Sequence, residues 1–170
     1  KNKKKYLRLQ QEGIWIPFVP IDSVKYYIMI ENLGDVFGDE WEKKFEYKGF
    51  NLNIENGIWI SDIASFHKYE AENYEGEGRE SITPYGAIEY FSNKEIWYTT
   101  LDGKKIYSDF WYDIPSGNYL LTIKGYARKD IVDHKAVNYG FLFSFMQVEK
   151  FDGYKNPREE QYNFNVASMK

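Results

Sequence analysis

Glu95-Ile-Trp-Tyr-Thr-Thr-Leu101, then Asp102-Gly103, then Lys104-Lys-Ile-Tyr-Ser-Asp-Phe-Trp-Tyr112, then Asp113-Ile-Pro-Ser-Gly117 and Asn118-Tyr-Leu-Leu-Thr-Ile-Lys-Gly-Tyr-Ala-Arg128: this stretch decides the fold class. Two β-rich runs are parted by a lone Asp-Gly. The turn this favours needs positive φ at both central residues, which Asp tolerates and Gly accepts freely. Pro115 and Gly117 are poor strand residues, so the chain turns again and a third antiparallel strand follows.

Pairing across Asp102-Gly103 sets Leu101 against Lys104, Thr99 against Ile106, Trp97 against Ser108 and Glu95 against Phe110. One face then carries Trp97, Thr99, Leu101, Ile106 and Phe110. The other carries Ile96, Tyr98, Thr100, Tyr107, Asp109 and Trp111. A half-buried sheet shows one apolar and one polar face, but here the second face is aromatic and polar together. Two readings follow: a second packed layer, as in a sandwich, or an exposed Tyr/Trp recognition face.

Working outward, 170 residues with 19% aromatic content suit one β-rich domain with a real core. No run of eighteen apolar residues occurs, so no membrane span is expected. The lack of cysteine excludes disulfides, thiolate zinc sites and cysteine nucleophiles. Five of the 22 basic residues fall at Lys1, Lys3, Lys4, Lys5 and Arg8, leaving residues 9–170 with 17 basic against 26 acidic, a balance of −9. Such a body is repelled by nucleic-acid phosphates and attracted to basic partners. The lysine run resembles the start of a signal peptide without its apolar core. With no initiating Met before a Lys too large for ordinary Met removal, an upstream tag, targeting or anchoring segment is expected to have been cut away. That favours an exported or membrane-tethered native form, the alternative being cytoplasmic.

Residues 1–12 read as a basic tail or an edge-strand lead-in, and residues 13–170 as a single β-domain. Gly13 to Ile21 holds Pro17 and Pro20 and can only be an edge strand or an extended crossing. Val24 to Ile30 is a strand. Asp35 to Lys44 is the one plausible helical turn, with Val36, Phe37 and Trp41 as its stripe. Phe45-Glu-Tyr47 and Phe50-Asn-Leu-Asn-Ile54 alternate, Glu55-Asn56-Gly57 supplies a turn, and Ile58-Trp-Ile60 comes back. Tyr85 to Phe91 is another strand. Lys129 to Asn138 reads as a polar loop. Tyr139 to Phe151, apolar on both sides, is expected to be a central strand, and Gln161 to Val166 a closing one. The fold expected is all-β, a mainly antiparallel twisted sheet or sandwich with a concave face and at most one short helix.

Ser61 to Pro84 breaks the pattern. Tyr69-Glu-Ala-Glu-Asn-Tyr-Glu-Gly-Glu-Gly-Arg-Glu80 reads as a strongly negative loop: a solvated connector, or a docking loop for a basic surface. Glu70, Glu72, Glu75 and Glu77, flanked by Tyr69 and Tyr74, are the first candidate partner-binding residues. Tyr98, Tyr107 and Trp111 are the second.

The catalytic inventory is thin. His67 and His134 are the only histidines, and neither sits in a zinc-motif spacing. Asp130-Ile-Val-Asp133-His134 gathers three potential ligands, but such a loop is more often simply polar. No phosphate loop or nucleophile elbow occurs. A glycosidase-like carboxylate pair needs only proximity in space, and 26 acidic residues make some close pair expected by chance. The expectation is therefore no catalytic residue, no metal and no cofactor. Two binding readings stand: a plug for a basic cleft on another protein, or a carbohydrate-binding β-sandwich stacking sugars on its aromatics.

The segment Phe110 to Tyr126, followed by Tyr139 to Val148, resembles the carboxy-terminal half of small bacterial immunity and nuclease-inhibitor proteins. These are the ComJ type and the TipC-like immunity proteins that accompany secreted antibacterial toxins. The shared piece is an acidic or polar residue, an apolar residue, Pro, any residue, Gly, any residue and Tyr before a strand, matched at Asp113 to Tyr119. These families share no catalytic residues. The resemblance implies an immunity protein, monomeric when free, that binds one cognate toxin through a basic surface of that toxin.

Overall fold

A computed structural model describes residues 2–18, 20–31, 37–61, 94–99, 103, 105–133 and 136–170, with the backbone alone at residues 2, 94–99 and 105–108. Among them are one helix, α1 (Asn2–Gln11), and seven strands: β1 (Tyr26–Ile30), β2 (Trp41–Ile54), β3 (Ile58–Ser61), β4 (Lys94–Thr99), β5 (Lys105–Tyr112), β6 (Gly117–Arg128) and β7 (Tyr139–Val148). The chain is thus mostly strand with one short helix, as expected. It divides into two compact units, residues 1–54 with 117–170, and residues 55–116.

The first unit is a four-stranded sheet in the order β1-β7-β6-β2, antiparallel except that β1 runs parallel to β7. Tyr139 to Val148 is therefore an interior strand, as the two-sided apolar pattern required. Side chains alternate across a strand, and along β6 Tyr119, Leu121, Ile123 and Ala127 are all buried. The register sets Ile123 and Gly125 beside Phe143 and Phe141 of β7, and Gly125, Leu121, Tyr119 and Gly117 beside Phe45, Phe50, Leu52 and Ile54 of β2, and these β7 and β2 residues are all buried. The jump of five from Phe45 to Phe50 breaks a strict period of two. Gly49, at φ +87°, is the extra residue: a bulge that resets the alternation so both apolar runs face the core.

Two irregular segments cover this face. Residues 14–18 make the extended crossing expected of a stretch with two prolines, and Phe18 packs on Phe141, Phe143 and Phe164 at ring-centroid separations of 5.5, 6.1 and 5.4 Å. Gln161 to Val166 does not close the sheet. It crosses the same face, ends in a single 3-10 turn (Val166–Ser168), and seats Phe164 among Phe45, Tyr47, Phe50 and Tyr162.

Two further expectations are corrected. The basic tail is α1, because Lys, Leu, Arg and Gln are good helix formers and the helix has tertiary anchors. Tyr6 packs edge-on against Trp15 at 5.2 Å, Gln10 is buried, and Arg8 pairs with Glu12 at 2.7 Å. The helical turn over Asp35 to Lys44 is not found in the part described: residues 37–40 are not helical and Trp41 opens β2 opposite Arg128. Burial of Trp41 between Tyr27 and Phe37, under the Arg128 guanidinium 4.5 Å from its ring, outweighs the weak local helix pattern. Tyr85 to Phe91 lies outside the described residues.

Candidate partner-binding surfaces

Residues 55–116 leave the first unit at Ile54 and return to it at Gly117, and these two residues are direct partners in the β2–β6 ladder. The turn signal Glu55-Asn56-Gly57 is real: Asn56 (φ +60°) and Gly57 (φ +92°) both take the left-handed conformation, and Asn56 N–H donates to Ser116 Oγ at 3.1 Å. Yet β3 does not come back onto β2. It pairs with β5, in a three-stranded antiparallel sheet ordered β3-β5-β4.

At the base of the β4–β5 hairpin the pairing is the expected one, Glu95 opposite Phe110. Nearer the turn it shifts. Ile96 pairs with Asp109 but Trp97 pairs with Tyr107, and Tyr98 and Thr99 then pair with Ile106 and Lys105. Ser108 is the extra residue of a β-bulge, which the assumption of an unbroken two-residue hairpin could not supply. Gly103 does take the expected positive φ, +80°. The bulge interrupts the alternation that would have joined Tyr107 to Trp111. Asp109, which that alternation placed on the recognition face, is fully buried, as is Tyr112.

Of the candidate residues, Tyr69, Glu70, Glu72, Tyr74, Glu75 and Glu77 lie outside the described residues, and Tyr98 and Tyr107 are placed by backbone register alone. Trp111 is half-buried and stands opposite Trp59 of β3. One edge of its indole is packed on the turn: a β-carbon at Gly57 would lie 2.6 Å from Trp111 Cε2 and 2.6 Å from the Tyr112 carbonyl. Only glycine allows that approach.

The first unit has a second, charged face. Lys124 meets Glu31 at 2.6 Å, and Glu46 is held by Lys43 at 2.5 Å and Lys48 at 2.6 Å. Hydrogen bonds from Lys43 and then Lys48 draw the Glu46 carboxyl down to about 2, and the Lys124 hydrogen bond lowers that of Glu31. Burial pushes the Tyr26 hydroxyl up to about 12, with Asp22 and Tyr139 adding to it.

Sequence reasoning passed over the β6–β7 connection as a polar loop. Its described residues, 129–133 and 136–138, are tied together by Asn138, whose buried side chain donates from Nδ2 to the carbonyls of Asp133 (2.8 Å) and Ala136 (3.4 Å) and accepts from Val132 N–H at 3.4 Å. Arg128 N–H donates to the Asn138 carbonyl at 2.8 Å, and Ala136 N–H to the Asp133 carbonyl at 2.9 Å. Beside these bonds Ile131 is 57% and Val132 72% exposed. The legible signal was an apolar pair between two aspartates, masked by the polar average around it.

Among the described residues no group of three or more His, Cys, Asp or Glu could hold a metal ion, and His134 lies outside them. No helix among them is long and apolar enough to cross a membrane. No family model, curated protein or solved structure matches the chain.

Proposed function

We propose that this protein is a non-enzymatic inhibitor, an immunity protein that binds one cognate secreted antibacterial toxin and recognises it with residues 55–116. The observation that carries the reading is the Ile54–Gly117 pair. A 62-residue excursion starts and ends on two hydrogen-bonded neighbours, which is how a rigid sheet carries a recognition element without altering its own core. That excursion contains the acidic run Glu70, Glu72, Glu75 and Glu77 and the Trp59–Trp111 pair. A basic toxin surface would relieve the mutual repulsion of the four glutamates, and steering by their charge would speed encounter.

The test is binding of the purified product of the adjacent gene by calorimetry and stopped-flow. A 1:1 complex, an on-rate that falls with salt, and a slower on-rate for Glu72→Lys with Glu75→Lys at unchanged folding stability are expected. A salt-independent affinity with an unchanged on-rate would remove the acidic run from the interface.

A carbohydrate-binding module is the competing reading, supported by the paired tryptophans. The packing of Trp111 on Gly57 weighs against it, because an indole edge occupied by the turn is a poorer sugar platform. Glycan binding in the absence of any protein partner would reverse the order.

A further inference from the structure

We infer that α1 and the loop that meets it form a peripheral docking surface for an anionic lipid bilayer. Asn2–Gln11 carries Lys3, Lys4, Lys5 and Arg8, all exposed, and no carboxylate. Glu12, the first to follow, is bound by Arg8 at 2.7 Å. The helix turns Tyr6 and Gln10 inward and keeps Lys4 and Arg8, one turn apart, on its outer side. Three lysines in the first turn oppose the helix dipole, which favours anions there. Among the described residues none of the three has a carboxylate partner. They therefore weaken the helix that carries them, and a negative surface outside the chain is what they complement.

The helix does not stand alone. Asn51 Nδ2 donates to the carbonyls of Gln11 and Gly153, which sets the loop at 149–158 beside the end of α1. From that loop Arg158 holds its guanidinium 5.8 Å from the Tyr6 ring, a fifth cation next to the helix. Glu159 and Glu160 follow it and are exposed, so the excess of positive charge belongs to the helix itself. Two exposed apolar side chains stand at the same end. Ile14, 57% exposed, donates its N–H to the Leu9 carbonyl at 2.9 Å, and Tyr154, 38% exposed, is next to Gly153. Cations beside exposed apolar residues suit a bilayer interface, where charge draws the protein to acidic headgroups and apolar tips enter the boundary. Tyrosine is itself enriched at that level.

Other anionic partners fit less well. Tyr6 and Trp15 are packed edge-on against each other, so these two rings are not offered to nucleic-acid bases for stacking. Lysine is depleted from protein interfaces and lacks the bidentate grip of arginine on single phosphates. A cluster of unpaired lysines suits a fluid array of charge. Residues 9–170, at −9, are repelled by the same array, so approach is helix first. This surface lies in the first unit and owes nothing to residues 55–116, so it goes beyond the toxin-binding reading.

The experiment is flotation of the whole chain with vesicles of phosphatidylcholine alone and of phosphatidylcholine mixed with phosphatidylglycerol. Binding to the mixed vesicles only is expected, and it should be lost at high salt. Lys4→Ala with Lys5→Ala should weaken it roughly 25-fold, about fivefold for each charge near the surface. Ile14→Ser with Tyr154→Ser should weaken it while leaving the salt dependence in place. In urea the lysine variant should unfold no earlier than the parent, because the charges removed opposed the helix dipole, so its lost binding is not misfolding. Equal affinity of parent and lysine variant, or equal binding to both vesicles, would overturn the proposal. Competition by soluble glycerophosphoglycerol would assign a phosphate pocket instead, and equally tight binding of an oligonucleotide would assign a general polyanion site; either overturns it. The two proposals fail separately. Affinity for the adjacent-gene product, measured without vesicles, should be the same in the lysine variant. A loss there would place α1 in the protein interface and overturn the lipid assignment.

Discussion

Phe45 on β2 lies across Gly125, its directly paired neighbour on β6, with its ring where a β-carbon at position 125 would have to sit. The ring shields the bare glycine backbone, and the glycine lets the ring lie flat between Tyr47 and Phe141. Gly125→Ala is therefore expected to destabilise the protein by about 1–3 kcal/mol through overpacking. The reverse would follow from β-propensity alone, which ranks glycine below alanine in strands. Urea unfolding decides: a variant as stable as the parent would mean that Phe45 can move aside.

Phe164 is 3% exposed and touches five other rings, on the crossing segments and on β2. Truncation to alanine should cost about 3–5 kcal/mol, as much as Phe143→Ala on the central strand. A loss under about 1 kcal/mol at Phe164 would show that the carboxy-terminal segment only lies on the core without closing it.

Asn51 is 3% exposed, and its Nδ2 donates to the carbonyls of Gln11 (3.1 Å) and Gly153 (2.7 Å). One side chain thus ties the end of α1 and a distant loop to β2. Asn51→Ala leaves two carbonyls without their donor and should cost about 1–3 kcal/mol. Limited proteolysis should find α1 cut sooner in the variant, and an unchanged cleavage rate there would show that the helix is held by Tyr6 and Gln10 instead.

The Glu46 carboxyl, held at about 2 by Lys43 and Lys48, sits below its unfolded value of about 4.3. A lowered folded value means stability that is complete above about pH 4.3 and is lost as the pH falls toward 2. Lys43 and Lys48 are 47% and 68% exposed, so water screens both pairs and the gain is small, about 0.2–1 kcal/mol each. Carboxyl ¹³C titration should find Glu46 near 2 in the parent and higher in Lys43→Met with Lys48→Met. Glu46→Gln should be less stable than the parent at pH 7 and match it near pH 2, and a gap that persists at pH 2 would point to lost packing.

The sheet was legible wherever its code is local. Alternation along β6, the two-sided apolar run of β7 and the paired runs Phe45–Tyr47 and Phe50–Ile54 are each readable from side-chain period alone. Bulges were not legible, because a bulge depends on which partner a strand meets: Gly49 and Ser108 look ordinary until β6 and β4 are laid beside them. The same holds for Trp41, whose strand position is set by Arg128 and Tyr27, and for Phe164, four of whose five ring neighbours are over a hundred residues away in sequence. Of the candidate site, the alternation around Tyr98, Tyr107 and Trp111 was drawn correctly only as far as the bulge. The exposed pair Ile131-Val132 escaped because the described part of the loop is tied together by one buried asparagine, and burial is not written in composition.

The adjacency of Ile54 and Gly117 bears on how such a chain can diversify. Partners in an antiparallel ladder have α-carbons about 4.5–5.5 Å apart, the span of a tight turn, so the four-stranded sheet demands of the inserted residues only that their two ends meet. Closing a longer insert adds entropy cost slowly, about 0.6 kcal/mol per doubling of length. Residues 55–116 can therefore be rewritten as one cassette while the residues that fold the four-stranded sheet stay fixed. On the function proposed above, a lineage that must recognise a changing toxin can exchange that cassette whole, by recombination at two points, without first relearning how to fold.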